Sequence, residues 1–299
     1  MNKKSNDPII FIGTGRSGST YISGCIFSHK KIGYPSNYQE KFPANLSINY
    51  IKHLFDNSFW RINTRGSFNK FIAKTFFLPS EAYSMWRYLL QGEVDFSRSF
   101  LIKDRLTEKT SKRVEEYFQR MIHIQGKERL GFKVTGPSRI GFLKSIFPNA
   151  HFVWVKRDLH ATISSFLKKD FWKTRGYSDL WFYDAFTNEE KEFALRYKKD
   201  PAMLTTIQLK KIMLETEKEI AQCGAKVFEI DYEHFLENPK DSISKILEFS
   251  NLDFDQSCFD YISQNTIKKR DVDYRSIFGD EKFNEIEEFI TSDKLGKLK

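Results

Sequence analysis

The sequence predicts a three-layer α/β fold with a central, mainly parallel sheet and a helical insertion. Three observations carry this reading. Short apolar runs at 9–12, 130–134, 151–156 and 226–230 have the length and the β-branched and aromatic content of buried strands. Segments of helical periodicity separate them, the alternation from which parallel sheets are built. The first run also leads straight into a glycine-rich turn, Gly13-TGRSGST-Tyr21.

The elements follow in order. Pro8 and Gly13 bound the first strand, and Ile22, Cys25 and Ile26 give Ser19–Phe27 one apolar helical face. A mostly helical insertion is expected over about 41–125, with helices at 79–91 and 107–124 that stop at Gly92 and Gly126. Asp158 stands where it can cap a helix running from Leu159 to Leu167. A long amphipathic helix is expected over 203–223, and Pro239 opens another that reaches Phe249. No repeat, low-complexity segment or linker interrupts the chain, so residues 1–299 read as one domain.

Composition narrows the function classes. At 299 residues with 40% hydrophobic content and 29 phenylalanines, the chain can bury a full core. The net charge of +9 suits a polyanionic ligand, an acidic glycan or a peripheral membrane contact. Basic residues are interspersed with acids, which argues against a specific nucleic-acid partner. Three widely spaced cysteines, an odd count, read as reduced core residues, and the histidines lack metal-ligand spacing. Met1-NKKSNDP leads directly into the first strand and no apolar stretch nears ~20 residues, so a cytoplasmic, bacterial protein is expected.

The turn at 13–20 aims backbone N–H groups and a helix N-terminus at one point, which makes an anion site. Arg16 adds a cation; Ser17, Ser19 and Thr20 add hydroxyls. Three nucleotide sites compete for such a loop. A Walker A loop, G-x-x-x-x-G-K-S/T, is matched by Gly13, Gly18 and Thr20, but Ser19 occupies the lysine position. The dinucleotide fingerprint G-x-G-x-x-G fits Gly13, Gly15 and Gly18, with Glu40 near the ribose-binding position. The stretch Tyr34-PSNYQ before Glu40 does not read as a second buried strand.

A second constellation favours the third site. The strand 151–156 runs into Arg157, where a Walker B strand would end in a metal-holding aspartate. Ser165 lies two helical turns further on, so both side chains can face one anion above the sheet. Two anion regions without a magnesium carboxylate imply a nucleotide carrying two separate phosphates and no metal.

At these residues the chain resembles the sulfotransferases that use 3′-phosphoadenosine 5′-phosphosulfate (PAPS). Arg16-SGST is similar to their 5′ loop, K/R-S-G-T/S-T/S, and Arg157 with Ser165 to their 3′-phosphate motif, R-x7-S. Gly131-FKVTGP resembles the strand that places a lysine, here Lys133, near the phosphosulfate. Val227-FEIDYEHFLENP resembles the late strand and turn whose tyrosine, here Tyr232, lies near adenine. Thr135 stands where the cytosolic branch has a histidine base, so the likeness is to the bacterial, carbohydrate and tyrosyl-protein branch.

The resemblance implies a P-loop-like fold, PAPS as co-substrate and no metal. It implies nucleotide contacts from Gly15, Arg16, Ser17, Gly18, Ser19, Thr20, Tyr21, Arg157, Ser165 and Tyr232, with Lys269 in a basic run closing over the 3′-phosphate. Arg16 and Lys133 would stabilise the leaving phosphate. Glu40, 24 positions after Arg16, would act as the carboxylate base. The acceptor is expected to be a glycan, glycolipid or small metabolite, recognised by the insertion and the C-terminal region. The alternatives are a P-loop-type nucleotide kinase, or a nucleotide-binding protein that kept the fold and lost turnover.

Overall fold

Five strands form the centre of the computed structural model, which describes residues 7–56, 78–265, 267 and 271–297. They are β1 (Ile9–Gly13), β2 (Ile32–Gly33), β3 (Arg129–Thr135), β4 (His151–Lys156) and β5 (Lys226–Asp231), in the order β2-β3-β1-β4-β5. Every pairing is parallel. All five residues of β1 are buried, because helices cover both faces of a parallel sheet.

Side-chain alternation divides the core into layers. Ile10, Ile12, Phe132, Val134, Phe152 and Trp154 face one side and pack with Trp86, Phe118 and Phe142. Ile9, Phe11, Val153 and Val155 face the other and pack with Ile22, Ile26, Phe235 and Ile246. A third apolar cluster joins Trp172, Phe182, Ile207 and Phe289 around the 23-residue helix Pro201–Cys223. That helix starts where Asp200 accepts from the Met203 amide and Pro201 supplies the fixed φ of a first turn.

Several boundaries agree with the sequence reading: Ser19–Phe27, Leu159–Leu167 and Pro239–Phe249 are all helical, and Asp158 accepts from Ala161 N at 2.7 Å. Two differ. Ile32–Gly33 is a fifth strand, too short at two residues to show a period in sequence. The helix expected at 79–91 is Tyr83–Leu90. Pro79 bridges Ser36, and the Ser80 and Asn37 amides bond to the carbonyls of Pro35 and Leu78, so 78–80 stays extended. Ala82, in the left-handed region at φ 60°, then turns the chain into the helix. Among the described residues, the insertion also contains Ile48–Phe55 and Glu108–Ile124, the latter capped by Thr107.

Candidate functional site

The loop after β1 turns through three left-handed residues, Gly15 (φ 86°), Arg16 (φ 56°) and Gly18 (φ 85°). Gly18 caps Ser19–Phe27, and no side chain accepts from the first-turn amides. Tyr21 N and Ile22 N donate to the Gly18 carbonyl, which leaves the Ser19 and Thr20 N–H groups open to an anion. Gly18 is required on steric grounds as well, since a Cβ there would meet the Tyr232 ring at 2.1 Å. The Ser17 hydroxyl is only 1% exposed yet has no hydrogen-bond partner. An orphaned hydroxyl under an uncapped helix start fits a phosphate oxygen.

Strand register brings Lys133 to this loop. It pairs with Phe11 and shares that residue's face of the sheet, the face on which Ser19–Phe27 packs. Lys133, 4% exposed, donates from Nζ to Thr20 Oγ1 at 2.7 Å. The same ammonium lies 3.3 Å from Glu81 Oε1, and Glu81 Oε2 accepts from Thr135 Oγ1 at 2.8 Å.

Arg157 follows β4, the neighbour of β1 on the other side. Its Nη1 donates to the carbonyl of Arg16 at 2.8 Å, its Nε lies 3.9 Å from Glu233 Oε1 with no hydrogen-bond partner among the described residues, and its guanidinium lies 5.1 Å from the Tyr232 ring centroid. Arg16 in turn donates from Nε to Ser165 Oγ at 3.0 Å. The structure thus brings together Arg16, Ser17, Gly18, Thr20, Lys133, Arg157, Ser165 and Tyr232, as the sequence motifs anticipate. Tyr21 sits beside them with its ring edge against Phe235 at 5.6 Å, and burial, helped by Cys25, Tyr261 and Tyr232, pushes its phenol up to about 12. Burial also raises the Tyr232 phenol, against an opposing pull from Arg157.

A cleft of about 800 Å³ opens over these groups at the carboxyl ends of the strands. One half is lined by Gly15, Arg16, Thr20, Arg157 and Tyr232, the other by Arg87, Phe171, Trp172, Arg175 and Trp181. Arg175 stacks on Phe171 and Trp181 at 5.7 and 4.7 Å, and Arg98 stacks on Trp181 at 4.7 Å while donating to its carbonyl. Arg87 and Arg175 have no acidic partner among the described residues.

Glu40 lies elsewhere. It is on the short helix Asn37–Lys41, its Oε1 accepts from Ser84 N at 2.8 Å, and its buried Oε2 has no hydrogen-bond partner. It does not line the cleft, whereas Glu81, which the sequence reading did not single out, does. No spacing or motif marks Glu81; only the bridge between Pro79 and Ser36 reveals where it points. Lys269 falls outside the described residues. His160 packs as a structural group, stacked on Phe283 at 4.4 Å with Nε2 3.4 Å from Glu287.

A family model described as the sulfotransferase family matches residues 8–256. The fold is similar to that of sulfotransferase STF9 from Mycobacterium avium, with a TM-score of 0.61 at 15% identity, covering 99% of this chain and 77% of that one. It is also similar to sulfotransferase STF1 from Mycobacterium tuberculosis H37Rv, with a TM-score of 0.50 at 13% identity over 86% of this chain and 70% of that one. No curated protein matches the chain.

Proposed function

Because this chain belongs to the sulfotransferase family, we propose that it moves a sulfuryl group from PAPS to a hydroxyl or amine of a glycan, glycolipid or small metabolite. The observation that carries this reading is the linkage of the two anion-binding elements. Arg157 bonds to the backbone of Arg16, and Arg16 bonds to Ser165, so the 5′ loop and the 3′ motif face one cleft. Arg157 Nε, held only by a 3.9 Å ion pair with Glu233, and the Ser17 hydroxyl, which has no hydrogen-bond partner among the described residues, fit a nucleotide with phosphates at both ends.

In this reading the acceptor oxygen or nitrogen attacks sulfur in line as the S–O bond to the 5′-phosphate breaks. Negative charge grows on that phosphate, and cations preset beside it lower the barrier. Arg16 and Lys133 take this part, and Ser17 to Thr20 hold the phosphate through amides and hydroxyls. A carboxylate receives the acceptor's proton, the part for which the sequence pattern offers Glu40. Arg87 and Arg175, without an acidic partner among the described residues, and the Trp181 ring on which Arg175 stacks suit an acceptor that carries a negative charge and a ring face. The kinase alternative is disfavoured by Ser19 in the Walker lysine position and by Arg157 where a metal carboxylate is expected.

We read the protein as cytoplasmic and bacterial, with peripheral membrane contact; among the described residues no helix is long and apolar enough to cross a bilayer. Calorimetric titration with 3′-phosphoadenosine 5′-phosphate, beside ATP–Mg²⁺ and NAD, tests the donor. Binding of the bisphosphate alone, weakened in Arg157→Ala, is expected. Preference for ATP–Mg²⁺ or NAD overturns the reading; bisphosphate binding with no transfer in any acceptor screen would leave a nucleotide-binding protein without turnover.

A further inference from the structure

We propose that Glu81, rather than Glu40, accepts the proton leaving the acceptor nucleophile; the inference rests on the sulfuryl-transfer reading. Among the described residues, Glu81 is the only carboxylate lining the cleft. The chain delivers it there by a specific device. Pro79 bridges Ser36, just beyond β2, and Ala82 then turns in the left-handed region, so Glu81, directly before that turn, projects over the carboxyl end of β3.

Its neighbours place it at the junction of the two halves of the cleft. Lys133 Nζ lies between Thr20 of the nucleotide loop, at 2.7 Å, and Glu81 Oε1, at 3.3 Å. One ammonium therefore separates the carboxylate from the loop that would hold the leaving phosphate. Tyr83, which also lines the cleft, donates to the Thr135 carbonyl at 2.7 Å. Thr135 Oγ1 fixes Oε2 at 2.8 Å. A carboxylate has about four lone-pair sites, so these two contacts leave room for an acceptor O–H. A side chain 33% exposed is reachable from the cleft.

Glu40 has the opposite character. One of its oxygens holds the Ser84 amide, at the first turn of the helix that follows Glu81, and the other is buried. Glu40 is a positioning residue that anchors the segment presenting Glu81.

The step balances as follows. The acceptor O–H bond breaks and its proton passes to a Glu81 oxygen. The freed electron pair forms the new O–S bond. The S–O bond to the 5′-phosphate breaks, and its pair stays on the phosphate oxygen, beside Lys133. Glu81 then returns the proton to water.

Labelled PAPS is supplied to the wild-type protein, Glu81→Gln, Glu81→Asp and Glu40→Gln, with 4-nitrophenyl β-D-glucoside as acceptor and water as acceptor in its absence. Affinity for 3′-phosphoadenosine 5′-phosphate is measured in parallel. Glu81→Gln is expected to lose about 10²- to 10⁴-fold in transfer rate while binding the bisphosphate as the wild type does. Glu81→Asp should recover part of the rate, and Glu40→Gln should lose less than Glu81→Gln. Wild-type turnover in Glu81→Gln, or a loss larger in Glu40→Gln, overturns the inference and leaves the sulfotransferase reading standing. Absence of bisphosphate binding or of any transfer by the wild type overturns both.

Discussion

Nη1 of Arg157 donates to the backbone carbonyl of Arg16 at 2.8 Å, joining two loops that lie 141 positions apart in sequence. The bond steadies a non-glycine residue at φ 56°, a conformation that L side chains adopt uncommonly. Under the proposed function Arg157 would act on nucleotide binding in two ways: through its own charge, and through the shape of the loop it holds.

Arg157→Ala should weaken binding of 3′-phosphoadenosine 5′-phosphate by roughly 10- to 100-fold, since a hydrogen bond to a charged group contributes about 1.5–3 kcal/mol. Arg157→Lys should recover only part of this, because an ammonium lacks the fork that reaches the Arg16 carbonyl and a phosphate together. Calorimetry decides; an unchanged dissociation constant in the alanine variant contradicts both effects.

Arg16→Ala removes a cation placed to meet charge that develops on the leaving phosphate. A loss of about 10²–10³-fold in kcat is expected, the scale for one such donor. Purified variant with near wild-type turnover under saturating PAPS would count against the assignment.

Gly18→Ala should be disproportionately costly for one methyl group. The residue sits at φ 85°, and the new carbon would enter the Tyr232 ring. Strain of about 1–3 kcal/mol is expected, read as a lower midpoint in urea, together with weaker bisphosphate binding. A midpoint equal to wild type would mean that the loop shifts freely.

Arg175→Met tests the acceptor half. It should raise KM for an acidic acceptor roughly two- to fivefold, because exposed ion pairs contribute about 0.2–1 kcal/mol. A neutral analogue of the same acceptor should be little affected. Equal effects on both would mean that Arg175 acts through stacking alone.

Acid stability follows from two buried imidazoles. Burial pushes His29 below its ordinary 6.5, with the Asp253 carbonyl pulling weakly the other way, and burial with Arg129 and Lys226 does the same to His151. The unfolded chain therefore takes up protons first. Their contribution is full above pH 6.5 and is lost as pH falls from there through the folded values. Tm should decline over that range, and His151→Gln should flatten the slope; a Tm independent of pH would refute this.

Much of the fold was legible because its signals are local. Gly18 needs its left-handed turn, Asp158 caps its own helix, and β1 reads as continuously apolar because it is covered on both faces. That Arg16, Lys133 and Arg157 converge was legible for the same reason, since each lies in or just after a strand marked by a pattern. Glu81 was not, because a tertiary bridge, Ser36 to Pro79, sets its direction. Glu40 drew the eye by spacing alone, and spacing cannot reveal that its carboxylate is already committed to the Ser84 amide. β2 was missed because two residues carry no periodicity.

Lys133 projects from β3, Arg16 follows β1 and Arg157 follows β4, three adjacent strands of one sheet. Parallel neighbours lie about 4.8 Å apart, so the pitch of the sheet sets the spacing at which these segments arrive, and the Arg157 bond to the Arg16 carbonyl fixes the loop beyond β1. Glu81 and Arg87 come instead from the excursion between β2 and β3, and Trp181 with Arg175 from the one after β4. Under the proposed function, the grip on the donor belongs to the sheet and the choice of acceptor to the excursions, so the second can change without disturbing the first.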